Sequence, residues 1–122
     1  MFQTGVGKWT NYRTCFNLSD DDEIDLHFGK RDRFDMSYGE AMAQVAELVE
    51  NCLRRAQKEG RPYVMFLHGS STSLGWKKTT ARSVVRGFMR SKSATPLIDR
   101  SLCIQHDTVF VARVRQKPQR TP

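Results

Sequence analysis

Apolar residues recur at spacings of three and four in two parts of the chain, which predicts two amphipathic helices. The first opens at a capping box, Ser37-x-x-Glu40, and ends at Gly60, a residue suited to the left-handed turn that closes a helix. The second covers about residues 78–91. The predicted buried stripes are Met42, Val45, Val49, Cys52, Leu53 and Ala56 in the first helix, and Ala81, Val84, Val85, Phe88 and Met89 in the second.

Four further segments have the patterns of strands. Residues 24–28 alternate apolar and polar side chains, as a half-buried strand does. Residues 63–67 are wholly apolar between turn signals, which predicts a central strand covered on both faces. Residues 97–105 and 108–115 look extended and flank a short polar turn at residues 105–107, so we expect an antiparallel hairpin.

The order strand, helix, strand, helix, strand, strand predicts an α/β domain over residues 24–115. A strand-helix-strand unit favours a right-handed parallel crossover, so the expected architecture is a two-layer or three-layer sandwich with a mixed four-stranded sheet. Residues 1–23 show no clear period and are predicted to be an N-terminal arm, either flexible or forming an added strand. Residues 116–122 are predicted to be a disordered tail, and the length of 122 residues fits one domain.

The charge is distributed unevenly along the chain. The formal net charge is +7, yet residues 76–122 hold eleven Lys and Arg against two carboxylates, while residues 1–75 hold nine against eleven. A basic half favours a polyanionic partner such as nucleic acid, although a basic protein without a specific partner has the same composition. No stretch approaches the roughly 20 apolar residues of a membrane span. Three cysteines are an odd number without C-x-x-C spacing. Cys52 and Cys103 each lie in an apolar pattern, which predicts buried free thiols and a reducing, cytoplasmic location.

Candidate chemistry clusters where the first two predicted strands end. Asp25 and His27 lie two apart, so they project to the same side of a strand, and a carboxylate beside an imidazole suits acid–base work. His68 follows the central strand, and the adjacent Gly69 permits close approach of a ligand. If the two strands are parallel neighbours, Asp25, His27 and His68 meet at one edge of the sheet.

A basic rim is predicted beside these residues. Three arginines at spacings of four share a face of the second helix, where like charges gain little unless an anion is near. The predicted nucleic-acid contacts are Gly69, Ser70, Lys77, Lys78, Arg82, Arg86 and Arg90. No metal site is predicted, although cleavage of DNA by water would call for a divalent metal ion. The acidic run at residues 20–23 favours a solvated connection over a metal site.

The ordered motifs resemble the Smr (small MutS-related) domain family. They are Ile24-Asp25-Leu26-His27, Glu40-Ala41, Val64-Met65-Phe66-Leu67-His68-Gly69, Ala81-Arg82-Ser83-Val84-Val85 and Thr108-Val109-Phe110-Val111. The resemblance implies a fold like the C-terminal domain of translation initiation factor three. It also implies nucleic-acid binding, often with endonuclease or nickase activity on DNA or RNA and sometimes at ribosomes, and matches Asp25, His27, His68, Gly69 and Arg82 to family positions.

The chain departs from the family pattern at two positions and in one loop. Phe28 replaces the glycine after the first histidine, and Ser71 stands where a second loop glycine is expected. Eleven residues separate Gly69 from Ala81, about twice the family's usual loop. The leading hypothesis is a Smr-like nuclease, in which Asp25, His27 and His68 act on the phosphodiester. The alternatives are a noncatalytic nucleic-acid or ribosome-associated module, and an adaptor whose basic face meets an acidic protein.

Overall fold

The computed structural model describes residues 2–26, 38–69 and 81–116, with the backbone alone at 38–42. It is a mixed α/β structure with five strands and three helices, and two further segments form single 3₁₀ turns at Asp20–Asp22 and Arg100–Leu102. The elements in chain order are β1 (Gln3–Thr4), α1 (Asn11–Cys15), β2 (Glu23–Asp25), α2 (Tyr38–Glu59), β3 (Tyr63–Leu67), α3 (Ala81–Met89), β4 (Ile104–Gln105) and β5 (Val109–Arg113).

The strands form one open mixed sheet in the order β1-β4-β5-β3-β2. β2 runs parallel to β3, as predicted, with Asp25 opposite Leu67. β5 lies antiparallel to both β3 and β4, which confirms the hairpin predicted around residues 105–107. The prediction of a four-stranded sheet is wrong, because β1 adds a fifth strand that pairs in parallel with β4 at the edge.

The central strands are buried on both faces because their side chains alternate between two apolar clusters. Val64 and Phe66 of β3 join a core with α2 and α3, whereas Met65 points to the opposite face. The helices present the predicted stripes to the first face: the buried residues are Val45, Val49, Leu53, Ala56, Val85 and Met89.

The end of α2 follows the sequence pattern. Gly60 has φ of +75°, the left-handed conformation expected of a residue that terminates a helix. The capping box at its start falls outside what the structure describes, because Ser37 and the side chain of Glu40 are not among the described groups.

The N-terminal segment covers the second face of the sheet. Of the two alternatives for residues 1–23, the added strand is present as β1. Aromatic and aliphatic side chains that follow β1 complete the second cluster by packing against Met65, Val109 and Val111. The residues that do so are Trp9, Tyr12, Phe16 and Leu18.

The strand predicted over residues 97–105 is mostly a different structure. Ile98 forms an isolated bridge with Val114, and only Ile104–Gln105 pairs regularly with β5. Between them, Arg100 donates from Nε to the Met89 carbonyl at 2.9 Å and from Nη2 to the Ser91 carbonyl at 2.7 Å. Arg100 therefore donates hydrogen bonds to carbonyls at the end of α3, which a helix cannot pair internally. The strand prediction did not include this interaction. Within the described ranges, no helix is long and apolar enough to cross a membrane.

Candidate functional site

The carboxyl ends of β2 and β3 lie side by side, as the predicted site required. Asp25 is opposite Leu67 in the register, and the next amide, that of Leu26, donates to the Leu67 carbonyl at 2.9 Å. Asp25 is exposed at this edge, while the side chain of Leu26 is buried. His27, the other predicted residue of this strand end, lies outside the described residues.

His68 is held immediately beyond β3 by the turn of the β4–β5 hairpin. Its amide and that of Gly69 both donate to the Thr108 carbonyl, at 3.2 and 3.0 Å. Gly69 has φ of +78°, a conformation that is strained for residues with a Cβ atom. The backbone is thus fixed, and the imidazole is turned inward with only 3% of the residue exposed.

The hydrogen bond made by the His68 ring fixes its tautomer. Nδ1 lies 2.7 Å from the Gly69 carbonyl oxygen, which can only accept, so Nδ1 carries the proton. Nε2 is buried and has no hydrogen-bond partner among the described residues. Burial lowers the pKa of His68 from 6.5 to about 4 with the help of the charges of Arg86 and Arg82, against the opposing effect of the hydrogen bond to Gly69 and a smaller one from the Val109 backbone. At neutral pH, Nε2 is therefore an uncharged hydrogen-bond acceptor.

Two of the three predicted arginines of α3 converge on this place. Arg82 donates from Nη1 to the Asp107 carboxylate at 2.6 Å, and Arg86 donates from Nη2 to the His106 carbonyl at 3.2 Å. Burial, followed by the charges of Arg82 and Arg90, lowers the pKa of Arg86. The buried Nε of Arg86 also lacks a partner in the described part of the chain. We call His68, Gly69, Arg82 and Arg86 the histidine–arginine site.

The third arginine, Arg90, is exposed just beyond the end of α3. Among the described residues, its effect on the site is that its charge lowers the pKa of Arg86. Of the other predicted contacts, Ser70, Lys77 and Lys78 lie outside the described residues. Within the ranges that are described, no three His, Cys, Asp or Glu side chains come together as metal ligands.

His106 is a component of this region that the sequence did not single out. Its Nε2–H donates to the Gly7 carbonyl at 2.7 Å, and its Nδ1 accepts from the Thr108 amide at 3.0 Å. The edge of its ring meets Tyr12, with ring centroids 5.7 Å apart. A Cβ on Gly5 would lie 2.6 Å from the Tyr12 hydroxyl and 2.9 Å from the His106 Cβ. The N-terminal segment therefore clamps the turn that holds the site.

The turn at residues 106–108 thus links every described part of the site. Thr108 holds the backbone of His68, and His106 and Asp107 hold Arg86 and Arg82. The guanidiniums of Arg82 and Arg86 are cationic donors beside the neutral acceptor Nε2 of His68. Together they suit a ligand that has an anionic group next to a hydroxyl group. Comparison of the chain with protein-family models, with curated proteins and with solved structures gives no match.

Proposed function

We propose that this protein binds nucleic acid through the phosphate backbone, using the histidine–arginine site and the basic residues of the C-terminal half of the chain. The observation that carries the proposal is the convergence of Arg82 and Arg86 on the end of β3, beside a neutral imidazole. Two guanidiniums held close together repel each other, and a bound phosphate would relieve that repulsion. Eleven Lys and Arg in residues 76–122 provide the wider attractive field.

Arg86 has unused capacity for a ligand. Its Nη2 meets a backbone carbonyl at 3.2 Å, and its Nε has no partner among the described residues. Arg82 is engaged, but the Asp107 partner is 68% exposed and can be exchanged for a phosphate. The forked guanidinium is well matched to phosphate oxygens, so these two residues are the expected primary contacts.

Phosphodiester cleavage, the Smr-type endonuclease or nickase activity, is the second candidate. It is favoured by one observation, that Nε2 of His68 has no hydrogen-bond partner in the described part of the chain and can accept a proton from a nucleophile. A pKa of about 4 keeps the ring neutral but makes it a weak base, whereas an efficient general base has a pKa near the working pH. Binding is therefore the first candidate and cleavage the second.

The compartment and the larger assembly belong to the same proposal. Cys15, Cys52 and Cys103 are all free thiols, which suits a reducing, cytoplasmic location. A ribosome-associated role would also fit, because ribosomal RNA is a polyanion that a basic surface attracts. An adaptor bound to an acidic protein is the competing interpretation.

Fluorescence anisotropy with a labelled single-stranded oligonucleotide, measured over a range of salt, tests the binding proposal. We expect the logarithm of affinity to fall linearly with the logarithm of salt concentration, with Arg86→Ala lowering affinity about tenfold and the slope by about 0.7. Arg54→Ala is the matched control, because Arg54 is exposed on α2 and paired with Glu50 at 3.1 Å. Absence of binding, or equal losses in both variants, would contradict the proposal.

Labelled RNA and supercoiled DNA, incubated with and without divalent metal, test the second candidate. Cleavage by the parent protein that is abolished in His68→Ala would support it. Cleavage that survives in His68→Ala would show that this histidine does not take part. A parent protein that binds both substrates and cuts neither leaves binding as the function.

A further inference from the structure

The hydrogen-bonding character of the buried His68 ring restricts what the site can bind. The Gly69 carbonyl oxygen, 2.7 Å away, fixes the proton on Nδ1. A second proton, on Nε2, would give the buried ring a positive charge close to the guanidiniums of Arg82 and Arg86. Nε2 is therefore an acceptor without a hydrogen to donate, and in the part of the chain that the structure describes it has no donor.

An internucleotide phosphate alone does not match this atom. Its oxygens accept hydrogen bonds and carry no hydrogen at neutral pH. A phosphate oxygen next to Nε2 would therefore place two acceptors together with no hydrogen between them. The Nε–H of Arg86, which also lacks a described partner, is the opposite case and needs an acceptor. A ligand that satisfies both atoms has a hydroxyl donor next to a phosphate acceptor.

We propose that the histidine–arginine site recognises RNA, with a ribose 2′-hydroxyl donating to Nε2 of His68 while the adjacent phosphate accepts from Arg86. The 2′-hydroxyl is the group by which a protein distinguishes RNA from DNA, and DNA leaves the His68 acceptor unsatisfied. The inference rests on the proposed function, since it names the nucleic acid bound at that site. It assigns His68 to binding specificity and requires no chemical step.

The covered His68 ring lies beside an ion pair whose carboxylate is exposed. His68 has 3% of its surface exposed, whereas the Arg82–Asp107 pair joins a side chain that is 17% exposed to one that is 68% exposed. At the rim of the site, the Asp107 carboxylate accepts a hydrogen bond from the Arg82 guanidinium. Binding therefore requires a phosphate to replace this carboxylate at Arg82 and the sugar beside it to reach Nε2.

Three oligonucleotides of one sequence test the proposal in the salt-dependent binding assay: RNA, DNA, and RNA methylated at every 2′-oxygen. A buried acceptor left unpaired lowers affinity by about tenfold. We therefore expect RNA to bind about tenfold more tightly than DNA, and methylated RNA to bind no better than DNA. A fourth probe, the DNA with a terminal phosphate, shows whether the hydroxyl of a protonated phosphate serves instead.

Variants of His68 assign the discrimination to this residue. His68→Leu removes the acceptor and should reduce the RNA-to-DNA affinity ratio from about ten to about one. If the leucine variant is poorly folded, the ¹⁵N resonances of the His68 ring in the parent give the second readout. RNA should shift the ¹⁵N signal of the unprotonated Nε2, because this nitrogen gains a hydrogen bond, and DNA should not.

The outcomes separate this inference from the proposed function. Binding of no oligonucleotide would contradict both. Equal affinity for RNA, DNA and methylated RNA, with an Arg86-dependent salt slope, would leave phosphate binding intact and overturn the RNA assignment. DNA with a terminal phosphate bound as tightly as RNA would also overturn the ribose assignment, because the donor would then be the phosphate. An RNA preference that persists in His68→Leu would place the discrimination elsewhere.

Discussion

The arginines near the two ends of β3 differ in the groups that they contact. At its start, a cleft of about 210 Å³ lies between α2 and the 3₁₀ turn at Asp20–Asp22, and Arg61 beside it contacts the Asp22 carboxylate at 2.6 Å and Glu59 at 3.6 Å. At the other end, Arg82 contacts one exposed carboxylate and Arg86 contacts a backbone carbonyl. Both ends hold arginines, but carboxylates surround Arg61, whereas burial and neighbouring cations lower the pKa of Arg86.

This contrast shows which arginines maintain the fold and which are available to a ligand. A cation that is matched by carboxylates on its own chain has little to gain from an external anion, and its removal leaves those carboxylates unpaired. A cation that faces other cations gains when an anion arrives. The comparison therefore predicts that substitutions at the two ends affect different measurements.

The largest expected effect is the pH dependence of stability due to His68. In the unfolded chain the ring has a pKa near 6.5, and in the folded protein the pKa is about 4, so acid favours the unfolded state. The contribution is constant above pH 6.5 and is lost as the pH falls to about 4, by about 3 kcal/mol in all. Urea unfolding of the parent and of His68→Gln between pH 4 and 7.5 measures the difference.

The control is the variant itself, because Gln cannot titrate while the other acidic and basic groups remain the same. The stability of the parent relative to His68→Gln should decrease as the pH falls. A difference that stays constant over the whole range would mean that the ring is accessible to protons in the folded state, and the acceptor role of Nε2 would lose its basis.

The next effect compares the two ends directly. Arg61→Met keeps an aliphatic side chain but removes the cation that pairs with the largely buried Asp22, whose carboxylate keeps only its hydrogen bonds from Ser19 among those described, so we expect the free energy of unfolding to decrease by about 2 kcal/mol. Arg86→Met removes a cation from beside another cation and should change the stability by less than about 0.5 kcal/mol. Urea denaturation at pH 7 measures both variants. Equal destabilisation by the two substitutions would show that the ends do not differ as described.

The smallest effect concerns Asp107, whose carboxylate competes with a ligand for Arg82. Asp107→Asn keeps the size of the side chain and removes the negative charge, so we expect oligonucleotide affinity to rise about threefold, the size of an exposed ion pair. Asp99→Asn is the control, because Asp99 pairs with Arg115 at 3.2 Å in the segment after α3. Weaker binding by Asp107→Asn would show that the ion pair positions Arg82 for the ligand instead of competing with it.

Sequence patterns predicted the elements that bury long apolar stripes. The periodicity from Val45 to Ala56 fits one face of a helix and identifies α2. The run from Val64 to Phe66 identifies the central strand because it is short and lies between turn signals. The parallel pairing of β2 and β3, and with it the common edge for Asp25 and His68, followed from the crossover rule.

The parts that were missed depend on contacts between distant residues. The helix at Asn11–Cys15 is too short to be stable alone and has no buried residue of its own; its neighbours Trp9 and Phe16 pack against strands far along the chain. The hydrogen bond from His106 to Gly7 joins residues separated by 99 positions. Local patterns carry no information about such pairs, so the clamp on the site could not be predicted.

The place of β5 in the sheet has a consequence for how the chain is made. β5 lies between β3 and β4, yet it follows every other strand in the sequence. A growing polypeptide that has reached β4 has no neighbour for β3 on that side and leaves Val64 and Phe66 incompletely covered. Folding therefore has to await synthesis of residues 109–113, and a nascent chain stalled before them is expected to be a substrate for chaperones.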